Sequence, residues 1–241
     1  ERNRTLTAIR RIVGREAGSV FAETHNSITR TALADSERIA GLLSQVTLTQ
    51  DWGRASGSVG ESDLVDQLHQ VSRVIASRGA MEAERDVFLV EMGGWDSHAN
   101  LVGVNEQKLR GINQAFETFV AELKAQSVWD QTTLFGLSEF ARTMTFNGRG
   151  TDHAWGGNYF VFGGDVRGGV IHGNFPELRT DGPNSISATG QMLPGSPWEA
   201  IWSPLASWMG VNDDHLNDVM PNLANFGTQH IFERSAVFES A

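Results

Sequence analysis

Residues Asp86–Leu101 read "DVFLVEMGGWDSHANL": an apolar run, two glycines, then Asp96 and His98 one residue apart. A short apolar run that stops at glycines predicts a buried strand over Asp86–Glu91. Residues two apart in extended chain point to the same side, so a carboxylate and an imidazole leave the strand end together. On these residues alone the pair reads as metal ligands, as a catalytic pair or as a hydrogen-bonded turn.

The following segment, "NEQKLRGINQAFETFVAELKAQ", carries Leu109, Ile112, Phe116, Phe119, Val120 and Leu123 as one apolar stripe of a long helix. "TTLFGL" after it predicts a second strand. Strand, amphipathic helix, strand predicts a βαβ unit with parallel strands and a right-handed crossover. Both strands then end at the same sheet edge, where open parallel sheets bind their ligands.

That edge receives "GGWDSH" after the first strand, "SEFART" (Ser138–Thr143) after the second, and soon afterwards the loop "NGRGTDHAWGGN". The expectation is that Asp96, His98, Glu139, Asp152 and His153 converge there. Clustered carboxylates repel unless a cation or protons are present, and desolvating them costs several kcal/mol per charge. A divalent metal ion supplies a reason for the convergence. Zinc, manganese or iron suit mixed nitrogen and oxygen donors; calcium and magnesium, the oxygen-seeking ions, complete the candidates.

Arg142, three residues beyond Glu139, falls on a helix predicted after the second strand. Its guanidinium suits either the oxygen pair of a phosphate or sulfate, or neutralisation of Glu139. Trp95 and Trp155 flank the two histidine motifs, as pocket walls or as core.

The bulk properties narrow the classes. The chain has 241 residues, with 29 acidic against 19 basic side chains and a formal charge of -10, which disfavours non-specific attraction to nucleic acid or anionic membrane. It has no cysteine, so disulfides and thiolate sites are excluded. No stretch approaches the roughly 20 apolar residues of a membrane span, and Arg10-Arg11 lacks the apolar segment of an export signal.

Elsewhere, helical periodicity covers Arg2 to about Val46 and "SDLVDQLHQVSRVIASRG", the latter ending at Gly79. A glycine and serine loop, "DWGRASGSVGES", separates them. "YFVFGGDVRGGVIHG" predicts two short strands and "NFPELRTDGPNSISATGQMLPG" a long loop, while Ser196, Pro197 and Glu199 mark a capped helix that Gly210 ends. The whole is expected to be one α/β domain over 1–241: helical 1–80, a βαβ core 86–137, a site loop 147–157, then strands and helices 158–241. The first helix, "ERNRTLTAIRRIVG", starts without a cap, as in a piece cut from a longer chain.

The order "GGWDSH", helix, "LSEFART", "TDHAWGG", "VFGGDVRGGVIHGNFPEL" and "MPNLANF" resembles the DUF1501 family, bacterial-type secreted proteins placed among relatives of alkaline phosphatases and sulfatases. The resemblance runs from about Leu64 to Phe226. It implies a mostly parallel sheet flanked by helices, an alkaline-phosphatase-like sandwich whose amino-terminal half is missing here. It also implies that Asp96 and His98 are ligands of one ion, that Glu139 stands where the superfamily has an Asp-His pair, and that His153 is the later histidine ligand. The superfamily's nucleophile comes from the amino-terminal half, and neither Ser138 nor Thr143 matches its motif.

The expected function is therefore metal-dependent hydrolysis of small anionic phosphate or sulfate esters, in an extracytoplasmic compartment. The rival is a non-catalytic secreted scaffold or assembly protein that keeps the fold and a structural ion. The expected partner is the amino-terminal half of the same precursor, or a second copy in a homo-oligomer.

Overall fold

A computed structural model describes residues 2–15, 18–53 and 61–240 of the chain. Most of the predicted glycine and serine loop, residues 54–60, lies outside them. The described chain falls into two compact units, Glu1–Thr49 with His69–Phe88, and Gln50–Leu68 with Leu89–Ala241.

The first unit is helical. Helix α1 (Arg2–Val13) and helix α2 (Val20–Ser44) carry the predicted periodicity, and Ser19 caps α2 by accepting a hydrogen bond from the Ala22 N–H. Two arginines satisfy carbonyls that a helix leaves unpaired at its carboxyl end: Arg30 donates to Val13 O at 2.6 Å and Arg73 to Leu43 O at 2.6 Å. Helix α3 (Glu61–Ala76), of which the residues from His69 onward belong to this unit, stops before Gly79, which lies instead inside a single turn, α4 (Arg78–Met81).

The second unit is built on the long helix α5 (Leu101–Ala125), which buries Ala115, Phe119 and Leu123. Strand β1 (Thr133–Gly136) follows it. Two-residue strands β2 (Ala141–Arg142) and β3 (His153–Ala154) come next, and then β4 (Phe160–Gly163). β4 pairs antiparallel with β1, with Gly136 opposite Phe160; β2 pairs antiparallel with β3, with Arg142 opposite His153. The absence of a side chain at Gly136 lets the Phe160 ring lie across the ladder. Phe116 of α5 packs on Phe162 and Phe160, at centroid distances of 5.2 and 6.3 Å.

This overturns the parallel sandwich. Among the described residues there are two two-stranded antiparallel sheets and no βαβ unit. Asp86–Glu91 forms no strand, and Val87 and Leu89 are 88% and 84% exposed. Periodicity records only that a run is apolar. Whether it becomes a strand depends on a neighbour to share its peptide groups, and β1 takes its neighbour from β4. The helix predicted for Arg142 is also absent, because Ala141 and Arg142 join a ladder.

Smaller differences have local causes. Helix α6 (Glu199–Trp208) starts three residues after Ser196, with no side-chain cap, while Gly210 (φ 94°) closes its end as expected. The "VRGGVIHG" half of the two-strand reading reduces to a single bridge, Val166 with Phe238.

That bridge anchors the carboxyl-terminal segment. Phe238 is buried and stacks on Trp208, with ring centroids 5.2 Å apart. Asp165 accepts hydrogen bonds from the Trp208 indole N–H at 2.8 Å, the Ser240 N–H at 3.0 Å and the Ser240 hydroxyl. Burial alone raises the Asp165 pKa, but these donors outweigh it and hold the carboxyl below its ordinary value.

Two outcomes are expected. Phe238→Ala should cost about 3–5 kcal/mol in urea unfolding, as for other large buried aromatics. A carboxyl with a depressed folded pKa stabilises above its unfolded pKa and loses that contribution as pH falls through the folded value. Asp165→Asn should therefore narrow the stability difference between neutral and acid pH, measured by unfolding midpoints from pH 7 to pH 3.

Candidate metal centre

Gly94, at φ 80°, turns the chain ahead of the ligand loop. Two tight turns follow, in which Ser97 N–H donates to Trp95 O at 2.9 Å and His98 N–H to Asp96 O at 3.2 Å. Ser97 is buried beneath the loop while Asp96 and His98 face outward on the same side. Asp96 and His98 thus point together as expected, through turns rather than extended chain.

The second wall is the β2–β3 ladder, which sets His153 beside Arg142. The loop between these strands is shaped by Asn147, whose side-chain oxygen accepts from the N–H groups of Arg149 and Gly150 at 3.1 and 2.8 Å. Thr143 N–H donates to Asp152 O at 2.9 Å and closes the loop. Gly150 lies directly on the Ser97–His98 backbone: a methyl group there would meet His98 C at 2.6 Å. Asn100 N–H donates to Arg149 O at 3.0 Å and joins the two loops again.

At the centre three donor atoms meet. Asp96 Oδ1 lies 2.7 Å from His153 Nε2 and 2.9 Å from His98 Nε2, and the two Nε2 atoms are 3.2 Å apart. Among the described residues these three form a group able to hold a metal ion. Ligand atoms sharing one small ion stand roughly 3 Å apart when their bonds are about 2.0–2.1 Å. Each Nε2 carries a proton or a lone pair according to its tautomer. Where both carry a proton toward Asp96 Oδ1, or both a lone pair, like faces like across 3.2 Å, and a cation shared by two lone pairs removes that conflict.

Arg142 braces the group from the protein side. It donates to Asp96 Oδ1 at 2.9 Å, to Ser97 O at 3.0 Å, to Thr151 Oγ1 at 3.0 Å and to Thr151 O. Four of its five N–H groups are thereby committed to the protein. Its side chain is 19% exposed, against 53% for Asp96. Hydrogen bonds from His153 and then Arg142 hold the Asp96 carboxyl below the usual carboxylate range.

The other expected site residues are placed as follows. Asp152 Oδ1 lies 3.4 Å from His98 Nδ1, on the far side of that ring from Asp96, and accepts from Asn147 Nδ2 at 2.7 Å. Glu139 is exposed and outside the three-ligand group; its charge adds to burial in raising the Tyr159 pKa. Arg142 pairs with Asp96 rather than Glu139. Trp95 is half-buried and Trp155 is 64% exposed.

Sequence reasoning missed Ser97 and Thr151, the backbone and hydroxyl acceptors for Arg142, and nothing in their spacing marks them. It also missed Lys108, which does carry a signal. Lys108 stands four residues before Ile112 and seven before Ala115, on the buried stripe of α5 where a charge is out of place.

The family model described as "Protein of unknown function (DUF1501)" matches residues 16–220. No curated protein and no solved structure matches the chain.

Replacing Arg142 separates brace from charge. Arg142→Met leaves the Ser97 and Thr151 acceptors unpaired and should cost about 1–3 kcal/mol in urea unfolding. Arg142→Lys should recover little of it, because an ammonium cannot reach acceptors spread along a planar fork.

Proposed function

The chain belongs to the DUF1501 family, and from that premise we propose that Asp96, His98 and His153 bind one divalent cation in a centre that serves hydrolysis of small phosphate or sulfate esters. The observation that carries the reading is the meeting of Asp96 Oδ1 and two imidazole Nε2 atoms within 3.2 Å of one another. Zinc, manganese and iron fit two nitrogens and a carboxylate oxygen best.

A divalent ion held there supplies polarisation of an ester oxygen and favours deprotonation of the attacking group. The chain's own residues do the rest. Asp96, His98 and His153 are about half exposed, so the centre is open on its outer side to a small anion. Arg142 orients Asp96 and, with its donors spent on the protein, contributes little direct contact to that anion. Asp152 sits at the outer nitrogen of His98, where a carboxylate favours the tautomer whose Nε2 lone pair faces inward.

The ester class rests on the resemblance of the ordered motifs to relatives of alkaline phosphatases and sulfatases, and not on a shared sheet. A second reading, a non-catalytic secreted scaffold with a structural ion, draws support from the exposed apolar surface of the second unit. Leu89, Ile171, Phe175 and Leu178 are each more than half exposed there.

Metal-free protein titrated with zinc and manganese should bind one ion per chain, and His98→Ala and Asp96→Asn should each abolish that binding while the chain stays folded. With the ion bound, full-length protein should hydrolyse an aryl phosphate or aryl sulfate, and Asp96→Asn should remove the activity. Stoichiometric binding without turnover of either ester would favour the scaffold.

A further inference from the structure

We infer that Lys108 is a positioning residue for the metal centre, its ammonium fixing the Gly93 end of the loop from which Asp96 and His98 project; the inference rests on the metal reading above. Lys108 is 6% exposed, on the face of α5 that turns toward the second unit's interior. Its Nζ donates to Gly93 O at 2.7 Å and stands 5.2 Å from the centroid of the Trp95 ring. Among the described residues no carboxylate lies within ion-pair distance of it.

A buried ammonium without a carboxylate partner is costly, and an apolar side chain at this place on the stripe avoids that cost. What the lysine supplies in exchange is directional. A peptide carbonyl and an indole face both attract a cation, and they belong to residues three and one before Asp96. Gly94, between them, has φ 80°, and a methyl group on it would stand 2.9 Å from Nζ, so the loop is moulded closely around the ammonium.

The ligand loop is consequently held at both ends by cations from different elements. Lys108 of α5 takes Gly93 O, and Arg142 of β2 takes Ser97 O and Asp96. Removing the first restraint frees the loop to pivot about the second. Small displacements of this kind weaken metal binding because ligand geometry, not ligand identity alone, sets affinity.

The test is zinc affinity of metal-free wild-type protein, Lys108→Met, Lys108→Arg and His98→Ala, by competition with a chromogenic chelator, with urea midpoints measured in parallel. Lys108→Met should weaken zinc binding about 10–100-fold in chains that remain folded. Lys108→Arg should recover part of the loss, since a guanidinium also donates to a carbonyl and stacks on indole.

Wild-type affinity in folded Lys108→Met would show that the lysine serves stability alone and would overturn the inference. If Lys108→Met does not fold, Lys108→Arg decides: it keeps the charge but sets its donors at a different reach, so zinc binding weaker than wild type supports the inference and unchanged binding overturns it. Wild-type protein that binds no zinc, or His98→Ala that binds as well as wild type, would refute the metal reading itself and this inference with it. Loss in His98→Ala with none in Lys108→Met or Lys108→Arg would refute only the role of Lys108.

Discussion

The guanidinium of Arg142 ties together segments that the chain order keeps far apart. It stands on β2, reaches back 46 residues to Asp96 and 45 to Ser97, and closes nine residues forward on Thr151. A planar cation with five fixed donors suits such a junction, because acceptors in three directions are satisfied at once and the side chain loses its freedom only once. Because β2 pairs with β3, the residue that holds Asp96 also faces the backbone of His153. The three-donor cluster follows from that single ladder and that single fork.

The local chemistry of the chain was legible before the fold was. Asp96, His98 and His153 stand out as ligand types near glycine turns, and the structure brings them to one place. Their expected meeting place, the edge of a parallel sheet, does not exist: the described strands pair antiparallel. The apolar run Asp86–Val90 looked like a strand because the sequence shows which side chains are apolar, not which peptide groups find partners. Gly136, by contrast, marks a strand whose partner lays an aromatic ring across it, and only coordinates reveal that the partner is Phe160.

The positions of the remaining site residues depend on long-range choices of the same kind. Glu139 and Arg142 are three apart, a spacing that favours pairing on a helix; in a two-residue strand with a bend before it they diverge, and Arg142 finds Asp96. Asp152 and His153 are neighbours in sequence but serve different nitrogens of the cluster: His153 meets Asp96, and Asp152 meets the outer face of His98. Lys108 went unmarked although it stands as a charge on an apolar stripe, and its meaning required the Gly93 carbonyl at its tip.

The central claim is that Asp96, His98 and His153 converge because they share a metal ion. X-ray absorption at the zinc edge of the reconstituted protein tests it most directly, since imidazole rings leave an outer-shell scattering signature that carboxylates and water do not. The account predicts a first shell of nitrogen and oxygen at about 2.0–2.1 Å with the outer-shell pattern of two imidazoles. An all-oxygen shell with no imidazole pattern would place the ion elsewhere and contradict it.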